Sequence, residues 1–286
     1  MDTSAPSAET LLLGPASLDR YLAEGVVLPG GGVLNMAYHW ARAGVPFHLL
    51  TRVGDDHPEV FRAFLRRHDI AHSADAIVAP GRSASIDVVV REDRQPWMDN
   101  FVEGVWTDFR LTANEETLLA SARRLHTVLV GPVVREVERL RVDGRLDHVM
   151  VTGDFLSLRR YTLDRFARTL AHLDAGFVGW PGEPDDPMVG AMRDAAFDLR
   201  RLVVVTMGAR DVRVFDGRGH PTERSVRVRA VPVRGTTVGC GDSFIAAFLA
   251  AWWRGADACR AAEQGAEQAA LATAWSRPLP DVAYAG

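Results

Sequence analysis

The chain has 286 residues, of which 47% are hydrophobic and 24% are charged, and its formal net charge at pH 7 is −4. This length supports one large α/β domain, or two small ones, with a well-buried core. The small negative charge gives no electrostatic basis for binding nucleic acid or an anionic membrane.

Two cysteines, Cys240 and Cys259, are too few for a disulfide framework or a cysteine-rich zinc site. The N-terminus lacks the basic start and apolar run of a signal peptide, and the longest apolar run, residues 244–253, is too short to span a bilayer. The sequence therefore predicts a soluble, cytoplasmic protein.

No lysine occurs, so all 33 basic residues are arginine. Walker A loops and protein kinases need a lysine at the phosphates, whereas PLP enzymes and Schiff-base aldolases need a lysine amine. The composition excludes these four classes of protein.

Predicted strands and helices alternate along the chain after a disordered tail over residues 1–9. The predicted strands cover residues 11–14, 47–53, 85–90, 126–130, 148–151, 175–179, 202–206, 212–215 and 225–231. The predicted helices are 33–43, a helix that Asp56 caps, 114–124, 133–141, 159–172, 187–198, 240–253 and 256–274. Residues 97–109 form an aromatic-rich loop or an extra strand, and the tail from Arg277 is irregular. This alternation indicates βαβ units and a mostly parallel sheet, which binds ligands at the carboxyl ends of its strands.

The strongest chemical motif is the run Thr236-Thr237-Val238-Gly239-Cys240-Gly241-Asp242, which leads into an apolar helix. Glycines at a helix start let backbone N–H groups approach an anion, and the helix dipole adds favourable charge. A carboxylate in the first turn can serve as the base for a hydroxyl proton. The pattern fits phosphoryl transfer, and it also fits a glycine turn in which Asp242 only complements the helix dipole.

Two other strand ends fit a nucleotide or a metal. The strand at 202–206 ends in Thr206-Met207-Gly208, where a hydroxyl and a bare backbone can meet a nucleotide. Glu183, with Asp185 and Asp186, follows the strand at 175–179 and could hold Mg²⁺ through water. The alternative for these acids is a solvated helix start.

Two features near the N-terminus fit a polyol. Gly30-Gly31-Gly32 precedes Asn35 on a helix, so hydroxyl groups can approach the backbone while the amide bridges two of them; the alternative is a packing turn with a surface Asn. Asp19 follows the first strand, where it either accepts hydrogen bonds from sugar hydroxyls or faces solvent.

In this order, the motifs resemble those of the ribokinase-like, or PfkB, family of carbohydrate kinases. Gly30-Gly31 with Asn35, then Thr51-Arg52-Val53-Gly54-Asp55-Asp56, is similar to the family's N-terminal signature. Gly239-Cys240-Gly241-Asp242 is similar to its C-terminal signature. The resemblance covers about residues 11–275 and implies a ribokinase-like three-layer α/β/α sandwich with a small β lid. It implies one kinase domain over residues 10–276, lid segments near 19–29 and 84–109, and a C-terminal tail at 277–286.

The resemblance also implies ATP-dependent phosphorylation of a hydroxyl on a small sugar. Asp242 is then the catalytic base, and it lies beside an anion hole. Separate groups of residues bind the nucleotide and the acceptor, and Glu183 belongs to a magnesium-linked motif. The anion hole would comprise Gly239, Cys240 and Gly241; the nucleotide set Thr206, Gly208, Gly239 and Gly241; the acceptor set Asp19, Gly30, Gly31, Asn35 and Asp242. Family members often pair through their lids, so a homodimer is expected.

Three positions depart from the family pattern. Thr236 stands where an Asp is usual in a region linked to activation by monovalent cations, which leaves K⁺ dependence in doubt. Trp180 replaces the Asn three residues before Glu183, and Asp211 replaces a glycine after Thr206-Met207-Gly208. These departures motivate an alternative function, a catalytically impaired sugar- or nucleotide-binding protein of the same fold. A second alternative, an NAD-dependent oxidoreductase, is disfavoured because no G-x-G-x-x-G follows the first strand of this chain.

Residues 99–109 resemble the corresponding stretch of the bacterial fructoselysine 6-kinase branch. This stretch carries Glu103 and Asp108, and a carboxylate there could pair with a cationic nitrogen of a fructosamine. Aromatic side chains at Trp97, Phe101 and Trp106 could exclude water from the transferring phosphate. The alternative is a hydrophobic lid or dimer contact whose acids face solvent.

Overall fold

A computed structural model describes residues 9–74, 76–158 and 161–285 of the chain. Contacts between residues divide the chain into two compact units. The first unit comprises the residues up to Asp87 together with Asp99–Val151, and the second comprises Val88–Met98 together with the residues from Thr152 onward. No helix within the described ranges is long and apolar enough to cross a membrane.

Strands and helices alternate, as the sequence predicts. The strands are β1 (Thr10–Leu13), β2 (Ser17–Tyr21), β3 (Val26–Gly30), β4 (His48–Leu50), β5 (Val53–Gly54), β6 (Val78–Ala79), β7 (Ala84–Val90), β8 (Pro96–Val102), β9 (Arg124–Val128), β10 (Met150–Asp154), β11 (Ala175–Gly179), β12 (Leu202–Thr206), β13 (Val212–Asp216) and β14 (Thr222–Val226). The α-helices are α1 (Gly32–Arg42), α2 (Pro58–Arg67), α3 (Ala113–Ser121), α4 (Gly131–Val142), α5 (Leu163–Ala171), α6 (Pro187–Asp198), α7 (Cys240–Trp252) and α8 (Ala258–Ala272). Short 3₁₀ turns occupy Gly104–Trp106 and Asp281–Ala283.

The first unit contains a parallel sheet in the order β9-β1-β4. Its central strand carries an unbroken run of buried leucines, Leu11–Leu13, as expected for a parallel strand that is covered on both faces. The turn after β1 is fixed by Thr51, whose hydroxyl donates to Gly14 O at 2.7 Å and accepts from Ala16 N at 3.0 Å. Thr51, part of the N-terminal signature, is thus a structural anchor of this turn.

A second sheet of four strands has the order β3-β2-β7-β8. β2 and β3 pair antiparallel, with Ser17 opposite Gly30 and Asp19 opposite Leu28. The far end of the β7–β8 hairpin, Val88–Met98, belongs to the second unit. The sheet includes the segments predicted as the lid, but the sequence did not predict β2 and β3 as strands, because Asp19, Arg20 and Pro29 interrupt the apolar alternation that signals a strand.

The second unit contains a sheet in the order β14-β13-β12-β11-β10. β10, β11 and β12 are parallel, and β13 and β14 continue antiparallel. The carboxyl ends of the parallel strands bring Asp154, Gly179 and Thr206 to one edge of the sheet. This is the edge at which open α/β sheets bind ligands.

Several predicted boundaries are wrong. The last strand runs over Thr222–Val226 rather than 225–231, because a short hairpin sets its register so that Val212 lies opposite Val226. Asp56 does not cap α2: the N-cap is His57, and Asp56 Oδ1 accepts from the amide and hydroxyl of Ser83 at 3.0 and 2.7 Å.

Two further predictions concern the helix predicted at residues 159–172 and the tail from Arg277. Thr162 caps α5 with its side chain, and the predicted start of this helix falls on residues 159 and 160, outside the described ranges. The tail from Arg277 is not wholly irregular, because it includes a 3₁₀ turn and buries Leu279 to 1% exposure.

Candidate active site

The start of α7 has the geometry of an anion site. Gly239 is the N-cap in the left-handed conformation, with φ 77°, and no side chain caps the helix. Gly241 has open space around its Cα, because a Cβ there would meet nothing within 4 Å. Cys240 N donates to Thr237 O at 3.3 Å. The N–H groups at the start of a helix, together with the helix dipole, favour an anionic ligand.

Gly239 cannot be replaced without a collision. A Cβ at this position would lie 2.7 Å from both Cα and Cβ of Pro278, and its positive φ already disfavours a side chain. The segment that follows α8 therefore fixes the approach to the anion site. The sequence motif predicts the glycine but gives no sign of its contact with Pro278.

Asp242 lies in the first turn of α7 and is partly exposed. Its negative charge raises the pKa of two neighbouring groups in the second unit, Cys240 and Asp154. Burial, and then Asp242, raise the pKa of the Cys240 thiol to about 12, which disfavours the reactive thiolate form. Burial, and then Asp242, also raise the pKa of Asp154 to about 7.

Asp154 is a buried carboxylate that interacts with Asp242 and that the sequence reasoning missed. It ends β10, is 5% exposed, and accepts a hydrogen bond from Leu156 N at 2.8 Å. Leu156 and Leu158 have left-handed φ angles of 56° and 55°, which are costly for non-glycine residues and are typical of functional loops. The predicted strand ended at residue 151, three residues before the observed end of β10 at Asp154. A correct strand end would have shown that Asp154 lies at the ligand-binding edge of the sheet.

Thr206 and Gly208 flank the end of β12. Thr206 Oγ1 donates to Val178 O at 3.4 Å, and Trp180 N donates to Thr206 O at 2.8 Å. Gly208 has φ 66° and nothing within 4 Å of its would-be Cβ, so a ligand can approach its backbone. Nucleotide binding by these two residues stays a prediction.

Glu183 has a cation partner of its own. Its Oε1 accepts from Arg210 Nη2 at 2.7 Å, its side chain is 69% exposed, and Arg210 also donates to Gly182 O at 2.9 Å. Within the described ranges, no group of three or more His, Cys, Asp or Glu side chains is placed to hold a metal. Arg210 contacts Glu183 Oε1, and a carboxylate accepts hydrogen bonds on both oxygens, so the exposed Glu183 could still hold Mg²⁺ through water.

Four of the predicted acceptor residues, all except Asp242, lie in the first unit. Asp19, 4% exposed, accepts a hydrogen bond from Ser17 Oγ at 2.7 Å. A Cβ at Gly30 would lie 2.1 Å from Asp19 Oδ2, so the bare backbone of Gly30 is what admits this carboxylate. The structure thus rules out a solvated loop Asp at position 19.

Gly31 and Asn35 complete this group. Gly31 is the N-cap of α1 with φ 92°, and a Cβ there would lie 2.6 Å from Pro15 O. Asn35 N donates to Gly31 O at 3.2 Å, and the Asn35 side chain is buried rather than on the surface. Asp19, Gly30, Gly31 and Asn35 therefore form one polar cluster.

A network that the sequence did not predict lies on the four-stranded sheet. Asp87 accepts from Arg20 Nε at 2.7 Å and from Asn100 Nδ2 at 2.9 Å. The hydrogen bond from Asn100, then Arg20, hold the pKa of Asp87 below its ordinary value. Asn100 adopts φ 51°, so its amide is held at the cost of backbone strain.

Glu103 is half-buried beside the N-terminus of α4. A Cβ at Gly131, the first residue of α4, would lie 3.6 Å from both Glu103 Oε1 and Arg135 Nη1. The Glu103 carboxylate thus lies beside a helix N-terminus and a guanidinium. Trp106 is fully buried, stacks on Phe109 with ring centroids 4.3 Å apart and donates to Arg52 O at 2.9 Å. It is a core residue rather than a cover for ligand.

Residues 177–276 match the sequence profile described as pfkB family carbohydrate kinase. Over these residues the chain is similar to the family. A fructoselysine 6-kinase of Escherichia coli (strain K12) is 27% identical over 261 residues, which cover 90% of this chain and 94% of that protein. A cytidine kinase of Thermococcus kodakarensis is 28% identical over 266 residues, which cover 86% and 89% of the two chains.

Solved structures confirm the ribokinase-like α/β fold. Adenosine kinase from Sinorhizobium meliloti superposes with a TM-score of 0.76 at 17% identity, covering 97% of each chain. Ribokinase from Giardia lamblia gives 0.77 at 16% identity, covering 97% of this chain and 96% of its own. The matching family profile and the named relatives are those of kinases, in agreement with the two signatures.

Proposed function

We propose that this kinase transfers the γ-phosphoryl group of ATP to a hydroxyl of a small sugar or sugar derivative, with Asp242 as the base. The observation that carries the proposal is a carboxylate in the first turn of a helix whose N-terminus has the conformation of an anion site. The acceptor cluster of the first unit supplies a buried carboxylate, Asp19, and a bare glycine backbone, which suit a polyol.

In this mechanism, Asp242 accepts the proton of the attacking hydroxyl as the new O–P bond forms and the bond to ADP breaks. Backbone N–H groups at the start of α7 stabilise the negative charge on the transferring group. Thr206 and Gly208 contact the nucleotide, and Asp19, Gly30, Gly31 and Asn35 orient the acceptor. Mg²⁺, when bound with ATP, neutralises phosphate charge that no lysine is present to offset.

Asp242→Asn tests the base. The amide keeps the shape but accepts no proton, so kcat should fall by about 10²–10⁴ while ATP still binds. The measurements are steady-state turnover and ATP binding by calorimetry. Asp164→Asn is the matched control, because Asp164 is an exposed first-turn acid of α5 in the same unit. Near wild-type turnover of Asp242→Asn on the true substrate would refute the role of Asp242.

We also propose a fructosamine as the acceptor, a ketose that carries an amino-acid substituent at C1. Its support is the similarity to a fructoselysine 6-kinase over 90% of the chain and the half-buried carboxylate of Glu103 in the similar lid stretch. In a partly water-excluded site, Glu103 could pair with the cationic nitrogen of the substrate more strongly than at an open surface.

The substrate proposal is tested by kcat/KM for fructoselysine against cytidine, adenosine, ribose and fructose. We expect fructoselysine to be preferred, and Glu103→Gln to raise its KM while leaving plain fructose unaffected. Asp108→Asn is the control, because Asp108 is an exposed acid in the same stretch. Preference for cytidine or a plain sugar would reject the fructosamine and leave the kinase intact.

A homodimer that pairs through the lid is proposed on the family resemblance and on exposed apolar side chains of the four-stranded sheet. These include Val27, Trp97, Met98 and Val102, which are 42–51% exposed. Light scattering of wild type and of Val27→Ser with Val102→Ser would detect the dimer and its loss. A monomeric wild-type protein at micromolar concentration would contradict the proposal.

A further inference from the structure

The tip of the β7–β8 hairpin is a compact turn, residues 91–95. Arg94 N donates to Arg91 O at 2.9 Å, Arg91 N donates to Gln95 O at 3.0 Å, and Gln95 N donates to Asp93 Oδ1 at 3.0 Å. Arg94 is left-handed, with φ 64°, a conformation that is unfavourable for a residue with a Cβ. The turn therefore presents a fixed set of polar groups.

This tip is hydrogen-bonded to the loop that leads into α7. Thr236 Oγ1 and Thr237 N both donate to Arg94 O, at 3.2 and 3.3 Å. Thr237 Oγ1 donates to Gln95 Oε1 at 2.9 Å. The residues joined by the two hydroxyl bonds are 142 positions apart in sequence but belong to the same compact unit.

The same loop is bonded on another side to the segment that follows α8. Thr236 N donates to Trp275 O at 2.8 Å, and Gly235 N donates to Thr273 O at 2.8 Å. Thr236 is fully buried, so its hydroxyl cannot lose the Arg94 carbonyl without a desolvation cost. The loop is thus held by hydrogen bonds to two separate segments immediately before Gly239.

We propose that Gln95 and Thr237 are positioning residues for phosphoryl transfer, because together they hold the loop from which the anion hole begins. Donors in an anion hole act through their alignment with charge that develops in the transition state, so a loop that shifts lowers kcat. Neither residue needs to touch the substrate. The inference rests on the role proposed above for residues 239–242.

The test uses variants that remove the side-chain bond and little else. Thr237→Val and Gln95→Met delete the donor and the acceptor with small changes of shape, and Thr237→Ser retains the hydroxyl. We expect each deletion to lower kcat about 5- to 10-fold, the rate equivalent of one net hydrogen bond, with the KM of the acceptor unchanged. The double variant should lose no more than either single variant, and Thr237→Ser should restore kcat.

A second readout needs no turnover. Arg91 and Arg94 make the tip a trypsin target, so cleavage after these residues, followed by mass spectrometry, should accelerate in Thr237→Val and Gln95→Met. Ser225→Ala is the matched control, because it deletes an exposed bond to Asp211 Oδ2 of 3.0 Å in the same unit.

Three results would overturn the proposal: additive losses in the double variant, an increase in KM without a fall in kcat, or unchanged kcat with unchanged cleavage. A different result separates this proposal from the proposed function. If cleavage accelerates and the double variant shows coupling while Asp242→Asn stays fully active, the contact between Gln95 and Thr237 is confirmed and the proposed role of residues 239–242 is wrong.

Discussion

Burial makes the carboxylate of Asp154 costly to ionise, because a charged group loses its hydration inside a protein. Asp242 adds repulsion, and the pKa of Asp154 rises to about 7. A raised pKa means that the folded protein binds this proton more tightly than the unfolded chain does. The resulting stabilisation is present below the unfolded value near 4 and is lost as the pH rises through 7.

Asp154→Asn should therefore stabilise the protein increasingly as the pH rises. The amide keeps the acceptor for Leu156 N but carries no charge, so the difference in Tm between variant and wild type should grow from pH 4 to pH 8. Thermal unfolding at several pH values measures it, with the exposed change Asp185→Asn as the control. A difference in Tm that does not vary with pH would show that Asp154 titrates normally.

At the residue scale, glycines and first-turn acids were predictable from the sequence, because their roles follow from local backbone chemistry. The partners of those residues were not, because contacts such as Gly239 with Pro278 or Asp19 with Gly30 depend on tertiary packing. Asp154 gives no local motif at all. Its setting arises from burial at a strand end and from a carboxylate 88 positions along the chain.

At the scale of elements, α7 depends on the fit between its N-cap and the segment after α8. Gly239 and Gly255 both have positive φ, 77° and 99°. A Cβ at Gly239 would lie 2.7 Å from Pro278, whereas a Cβ at Gly255 would meet nothing within 4 Å. Substitution at either glycine incurs backbone strain of roughly 1–2 kcal/mol. Substitution at Gly239 also displaces the start of the anion site.

Gly239→Ala should accordingly lower kcat at least about 100-fold, the effect of losing one anion-hole donor, whereas Gly255→Ala should leave kcat near wild type. Urea unfolding should show a loss of stability in both variants that is larger for Gly239→Ala. Equal turnover in the two variants would show that contact with Pro278 does not determine the geometry of the anion site.

Element prediction succeeded where periodicity was strong and failed where polar residues carry function. The parallel strands β1, β11 and β12 are apolar runs and were located closely. β2 and β3 were missed, because Asp19 and Gly30 occupy strand positions for the sake of the acceptor cluster. Local rules fail there because the site residues break the pattern that signals a strand.

At the scale of the whole molecule, stability in acid reflects opposing titrations. Burial lowers the pKa of His126 to about 3 and that of His39 to about 4, so both are neutral in the folded protein. The unfolded chain binds these protons below about pH 6.5, which favours unfolding as the pH falls. Asp154 acts in the opposite sense between pH 7 and 4, so the two histidines and one aspartate partly offset each other.

His126→Gln should flatten the acid side of the stability curve. The neutral side chain takes up no proton on unfolding, so the wild type should lose about 2 kcal/mol more than the variant between pH 7 and pH 5, from one proton over about 1.5 pH units. The measured quantity is the slope of the free energy of unfolding against pH. A constant loss of packing energy in the variant shifts the curve but does not change its slope. His220→Gln, an exposed change, should keep the wild-type slope. Parallel curves for His126→Gln and wild type would mean that His126 takes up its proton in the folded state, and burial would then not control its charge.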